Sequence, residues 1–114
     1  VMGRVEAAEA VSDRTGAVVL LKGADTVVTS GSGSTYINTT GNPGMATGGS
    51  GDVLTGVITA FAASGIAPLD AARAGAFVHG MAGDLAAGIM GQWGMTATDI
   101  RDQLPATLRG IVGK

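Results

Sequence analysis

Residues 41–56, GNPGMATGGSGDVLTG, combine closely spaced glycines with one carboxylate and then an apolar run. Glycine loses more conformational freedom on folding than any other residue, so a stretch this rich in glycine is costly to order. A glycine-rich loop that enters a helix leaves backbone amides unpaired at the positive end of the helix dipole, where they can bind an anion. One interpretation of the pattern is therefore an anion-binding loop. A helix follows it, with an apolar stripe that starts at Val53 and an end near Gly65.

Asp52 lies where this helix begins. A helix N-terminus favours the ionised form of a carboxylate. An ionised carboxylate beside a phosphate site can accept a hydroxyl proton during phosphoryl transfer. The alternative is a tight turn in which Asp52 only interacts with the helix dipole. The spacing leaves both interpretations open, because a single glycine-rich loop is a weak signal and no lysine follows it as in a P-loop.

The rest of the chain predicts an α/β fold in the order helix, strand, hairpin and helices. VMGRVEAAEAVSDRTG has helical spacing and ends at Gly16, a typical helix-terminating glycine. AVVLLKG is typical of a strand that is buried on both faces and therefore parallel to its neighbours. TVVTS and STYINTT, joined by GSG, predict a hairpin.

Three further helices are predicted in the C-terminal half. Pro68 suits the first turn of an alanine-rich helix that runs to about Ala87 and should pack closely on its neighbours. Thr96 is a typical N-cap residue for a short helix, and Pro105 ends that helix and begins a last one.

Composition narrows the class of protein. The 114 residues suit at most one domain. A net charge of −2 offers no basic face, so we expect no nucleic-acid partner. No apolar run is long enough to span a membrane, and the absence of cysteine suits the cytoplasm, where we expect the protein to act.

The predicted buried strand has too few neighbours within the chain. A strand covered on both faces needs partners on both sides, and the hairpin alone supplies few of them. We therefore expect residues 1–114 to be the C-terminal part of a single larger α/β domain whose N-terminal part is missing.

GNPGMATGGSGDVLTG resembles the signature of the ADP/ATP-dependent NAD(P)H-hydrate dehydratases, a branch of the ribokinase-like superfamily. LLKGADTVV upstream, and AFVHGMAGDLAA and GMTATDI downstream, fit the same family in the expected order. The superfamily shares only the Gly-x-Gly-Asp core, whereas the extension NPGMATGGSGD points to the dehydratases. The resemblance implies a ribokinase-like three-layer sandwich, of which this chain would hold less than the C-terminal half.

The resemblance also implies an activity, which is the repair of NADH or NADPH that has gained water across a nicotinamide double bond. ADP or ATP, with Mg²⁺, would phosphorylate the new hydroxyl, and elimination of phosphate would restore the ring. Asp52 would accept the hydroxyl proton and contact the hydrate, and Asn42 would lie near the phosphates and Mg²⁺. No residue is assigned as a metal ligand. The nucleotide site would comprise Lys22, Gly23, Ala24, Asp25, Thr26, Gly49, Ser50 and Gly51.

Two other hypotheses remain open beside this one. A ribokinase-like kinase of a vitamin precursor or sugar would use the same aspartate and glycines but would release its phosphorylated product. Alternatively, the chain could be a fragment that is inactive without a companion chain. We expect a homo-oligomer, and the sequence does not discriminate between ADP and ATP.

His79 and Asp84 belong to the downstream motif but have ordinary structural interpretations. His79, the single histidine, is expected to be partly buried in an apolar helix, with a place beside the nucleotide pocket as the alternative. Asp84 is expected to be structural.

Overall fold

The computed structural model describes residues 2–31 and 34–113. Within these ranges the chain forms, in order, α1 (Met2–Thr15), β1 (Val19–Leu21), β2 (Val27–Thr29), β3 (Thr35–Ile37), a 3₁₀ turn (Pro43–Met45), α2 (Ser50–Ala63), α3 (Pro68–Met90), α4 (Ala97–Asp102) and α5 (Leu104–Val112).

The three strands form an antiparallel sheet in the order β1-β2-β3. Leu20 of β1 lies opposite Val28 of β2, which in turn lies opposite Tyr36 of β3. The predicted hairpin is therefore confirmed as β2 and β3. Its GSG connection includes residues 32 and 33, which lie outside the described residues.

The parallel direction expected for β1 is wrong, since β1 pairs antiparallel with β2. The fully buried strand is β2, whereas the three residues of β1 are half-buried. Successive side chains of a strand point to opposite faces. Val27 packs beneath α1 and Val28 beneath α3, so helices cover both faces of the sheet. Cover on both faces of the sheet favours a continuously apolar strand such as β1, whatever the strand direction.

The helix boundaries follow local signals in the sequence. Gly16 has a φ of +73° and ends α1, as predicted. Pro68 begins α3, which continues three residues beyond the expected end near Ala87. Thr96 caps α4, and its side chain and that of Asp99 form a reciprocal capping box. Among the helices that the structure describes, none has the length and hydropathy needed to cross a membrane.

Small residues on α3 let its neighbours approach closely, as the alanine-rich sequence predicts. A Cβ at Gly75 would lie 2.5 Å from the Ile58 side chain of α2. A Cβ at Gly80 would overlap Thr40, and one at Gly83 would overlap Met45. These two glycines therefore hold the segment between β3 and α2 against α3. That segment also forms one wall of a cavity that borders the start of α2.

Candidate functional site

A cavity of about 660 Å³ lies between the end of β1, the segment after β3, the start of α2 and the middle of α3. Seven predicted site residues line it, namely Lys22, Gly23, Ala24, Thr26, Asn42, Ser50 and Gly51. Three others, Asp25, Gly49 and Asp52, are not among its lining residues. The fold thus joins segments that are separated by some twenty to sixty positions in the sequence.

The start of α2 is shaped by Gly49, the N-cap residue. Its φ of +88° is a left-handed conformation that favours glycine. Within the described residues, the amide of Ser50 donates to the Thr47 carbonyl, whereas the amides of Gly48 and Gly51 have no hydrogen-bond partner. Unpaired amides at the beginning of a 14-residue helix provide donors and a positive potential for an anion.

Lys22 adds a full positive charge at this helix start. Its ammonium group lies so close to Gly51 that a Cβ at Gly51 would overlap the Nζ atom. In the part of the chain that the structure describes, Lys22 has no carboxylate partner, and the ion pairs are instead Arg73–Asp70 and Arg101–Asp102. Since Gly51 has no side chain, the lysine charge can approach the backbone amides closely.

His79 borders the same cavity from α3. Its Nε2 atom lies 3.3 Å from Ser50 Oγ. Burial lowers the pKa of His79 below the ordinary value of 6.5 and outweighs a rise caused by a hydrogen bond with the Ser50 backbone. The nearby Lys22 charge also lowers the pKa, by a smaller amount. The lowered pKa favours the neutral imidazole. The partial burial predicted for His79 is confirmed, and the residue also lines the cavity.

Asn42 has a structural role in the cavity wall. Its Oδ1 accepts a hydrogen bond from the Gly44 amide, and its Nδ2 donates to the Gly83 carbonyl and to Asp84 Oδ1, at 2.9 Å. Asp84 also accepts from the Gly41 amide, at 3.1 Å. The Asn42 amide group thus holds the loop to α3, and Asp84 has the structural role expected for it.

Asn38 is a buried part of the site that sequence reasoning missed. Its Nδ2 donates to the Ala76 carbonyl of α3, and its Oδ1 accepts from the Tyr36 and Thr40 hydroxyls. Thr40 also donates to the Phe77 carbonyl. The sequence feature that could have indicated Asn38 is the polar run NTT, which lies directly after a β-rich segment and before the glycine-rich stretch.

Asp52 faces a second cavity, of about 470 Å³, between α2 and helices α4 and α5. Apolar side chains such as Phe61 and Leu108 line most of it, together with Arg101. The Asp52 carboxylate is exposed and has no ion pair or hydrogen bond among the described residues. The first turn of α2 therefore has Ser50 and Gly51 on one cavity and Asp52 on the other.

Metal-binding side chains are not clustered in the described ranges. No group of three or more histidine, cysteine, aspartate or glutamate side chains is placed there to hold a metal ion.

The comparisons with known proteins agree on one family. The family model described as NAD(P)H-hydrate dehydratase matches residues 2–106. The bifunctional NAD(P)H-hydrate repair enzyme Nnr of Moorella thermoacetica is 57% identical over 95 residues, which cover 83% of this chain and 18% of that enzyme. The ADP-dependent (S)-NAD(P)H-hydrate dehydratase of Xanthomonas campestris is 43% identical, over 80% of this chain and 32% of that enzyme.

A solved structure has the same arrangement of elements. It is the ADP/ATP-dependent NAD(P)H-hydrate dehydratase of Bacillus subtilis, co-crystallised with ATP/Mg²⁺. The TM-score is 0.89 at 29% identity, and the likeness covers 96% of this chain and 39% of that one. The chain thus spans about a fifth to two fifths of the length of these relatives.

Proposed function

The chain belongs to the NAD(P)H-hydrate dehydratase family, and on that basis we propose that it carries the phosphate site and the catalytic base of a hydrate-repair enzyme. The enzyme would use ADP or ATP to dehydrate hydrated NADH or NADPH. The observation that carries the proposal is the first turn of α2, where an anion site with Lys22 and a carboxylate without a partner, Asp52, open into two different cavities.

The fold class expected from the sequence agrees with the family. The chain has part of a ribokinase-like α/β sandwich, as its likeness to the Bacillus subtilis dehydratase shows. We propose that residues outside this chain complete the domain and the walls of both cavities. Cytoplasmic location and a homo-oligomeric state stay predictions.

The two cavities suggest how the substrates are divided. The cavity with Lys22 and the unpaired amides would take the nucleotide phosphates. The cavity with Asp52 and its apolar wall would take the hydrated nicotinamide ring. The terminal phosphate would then lie at the first turn of α2, between the two substrates, where the helix dipole and Lys22 stabilise its negative charge.

The reaction requires one proton transfer at Asp52. The ring hydroxyl loses its proton to the Asp52 carboxylate as its oxygen forms a bond to the terminal phosphorus, and the bond from that phosphorus to the nucleotide breaks. The leaving group is AMP when ADP is the phosphate donor, and ADP when ATP is the donor. Elimination then breaks the bond between the ring carbon and the phosphate oxygen, and the neighbouring ring carbon loses a proton to water. Inorganic phosphate leaves, and the electron pair of the broken C–H bond restores the double bond.

Mg²⁺ would neutralise charge on the nucleotide phosphates. The described residues include no group of three or more carboxylate or imidazole side chains that could hold the metal. Phosphate oxygens, water and residues outside this chain would therefore be its main ligands. Asn42 would contribute by holding the loop in place, since its amide group is already hydrogen-bonded. Asp25, which is exposed beside the cavity, would mark the outer edge of the nucleotide site.

The test uses the full-length protein that contains this chain, with hydrated NADH and either ADP or ATP. We expect NADH absorbance to return and free phosphate to appear in equal amounts, and only when nucleotide is present. Phosphorylated product without free phosphate would instead support the small-molecule kinase hypothesis. Nucleotide-independent dehydration, or no dehydration at all, would refute the proposal. Restoration of activity only after a companion chain is added would support the fragment hypothesis.

A further inference from the structure

Arg4, on the first turns of α1, reaches the end of β1 and bonds to two successive carbonyl groups. Its Nη2 atom donates to the Leu21 carbonyl at 3.0 Å and to the Lys22 carbonyl at 2.7 Å. The second bond has the short length typical of a charged donor. None of the residues predicted to bind the nucleotide lies on α1. The Arg4 contact therefore connects a helix outside the nucleotide site to the end of β1, which lines that site.

These bonds fix the place where the strand ends. Successive carbonyls of a regular strand point in opposite directions, so one nitrogen atom cannot bond to both. The chain must turn at Lys22 for Arg4 to reach the two carbonyls. Gly23 makes room for this approach, since a Cβ there would lie only 2.5 Å from Arg4 Nη1. Thr26 completes the loop by donating to the Gly23 carbonyl at 3.2 Å.

We propose that Arg4 is a positioning residue for the nucleotide site, and that it acts through Lys22. By holding the Leu21 and Lys22 carbonyls towards α1, it sets the backbone from which the Lys22 side chain extends to the start of α2 beside Gly51. Arg4 itself is not among the residues that line the cavity. The effect on nucleotide affinity rests on the proposed function, whereas the effect on the loop does not.

The experiment compares Arg4→Ala with Arg14→Ala in the full-length protein. Arg14 is an exposed arginine in the last turn of the same helix, so its removal controls for the loss of one positive charge from α1. We expect Arg4→Ala to raise the nucleotide KM about tenfold. Loss of a residue that only orients a metal ligand through a hydrogen bond has a comparable effect, since it lowers metal affinity or activity by about tenfold or more. The change in kcat should be much smaller, and Arg14→Ala should change neither constant.

Arg4→Gln provides a second variant if Arg4→Ala does not fold. It keeps an amide donor but removes the charge and the planar fork of donors. Its nucleotide KM should lie between those of the wild type and Arg4→Ala. A KM for Arg4→Gln equal to that of the wild type would contradict the charged, two-carbonyl contact.

A double variant tests whether Arg4 acts through Lys22. We expect Arg4→Ala to have no further effect on nucleotide KM once Lys22→Ala is present. Two effects that multiply independently would overturn the inference.

Amide hydrogen exchange separates this inference from the proposed function. Arg4→Ala should speed exchange in residues 22–26 without nucleotide, and Arg14→Ala should not. Unchanged exchange there would overturn the inference even if the enzyme dehydrates its substrate. Faster exchange in a protein that binds no nucleotide would refute the proposed function while leaving the loop-positioning role intact.

Discussion

Substitution of Gly51 by alanine should separate stability from nucleotide binding. Gly51 is the second residue of α2, and no positive φ requires glycine there. Alanine is preferred to glycine inside a helix by about 1 kcal/mol. The added methyl group would meet only the far end of the flexible Lys22 side chain, which can move aside at little cost. We therefore expect the free energy of unfolding to stay constant or to rise by up to about 1 kcal/mol.

Nucleotide affinity should change in the opposite direction. To regain ordinary contact distance, the Lys22 ammonium must retreat by about 1 Å. With an effective dielectric constant of about 20, an ion pair at about 4 Å is worth about 4 kcal/mol, and a retreat to 5 Å costs about 0.8 kcal/mol per unit of phosphate charge. That is roughly a fourfold loss of affinity. Salt should reduce the loss, because Lys22 is exposed.

The assay measures the Kd for ADP and the melting temperature of the full-length protein. Gly88→Ala is the matched control, because Gly88 lies exposed in α3 with nothing within 4 Å of its added methyl group. The control should gain stability and keep its affinity. In a Lys22→Ala background, Gly51→Ala should no longer weaken binding through the lysine. Unchanged ADP affinity in Gly51→Ala, or a large loss of its stability, would refute the reasoning.

Three further outcomes are expected. Asp52→Asn should lower kcat by about 10²–10⁴-fold, as for loss of a general base, with little change in nucleotide Kd; near wild-type turnover would exclude the catalytic role. Gly44→Ala should destabilise the protein by about 1–3 kcal/mol because the added Cβ would lie 2.7 Å from the Gln92 backbone carbonyl oxygen. Gly48→Ala, which has nothing within 4 Å of its added Cβ, should melt near the wild-type temperature. The pKa of His79 is lower in the folded protein than in the unfolded chain, so the unfolded chain binds the proton more readily and stability should fall as pH drops below about 6.5. His79→Gln should flatten that part of the profile of melting temperature against pH. An unchanged profile would exclude His79 as the source of this pH dependence.

Local chemistry made the helix boundaries predictable. Gly16 and Thr96 act through the backbone groups of their own neighbours, so their roles can be recognised from a few adjacent residues. The glycine-rich loop before α2 was predictable for the same reason. The partial burial of His79 followed from the apolar helix around it.

Features that depend on distant segments were not predictable. The direction of β1 depends on its partner strand, and an apolar run carries no information on that direction when helices cover both faces of a sheet. The bond between Asn42 and Asp84 joins residues 42 positions apart. The sequence also could not show that Asp52 opens into a different cavity from Ser50, because that depends on which elements pack on each side of α2.

The glycines of α3 restrict where insertions and deletions can occur. Gly75 faces α2, whereas Gly80 and Gly83 face Thr40 and Met45 in the wall of the cavity that Lys22 lines. One residue added between Gly75 and Gly80 would turn one part of the helix by about 100° relative to the other. Side chains would then replace glycine at one of the two contacts. Length changes should therefore be tolerated in the exposed connection at residues 64–67 but not between these glycines.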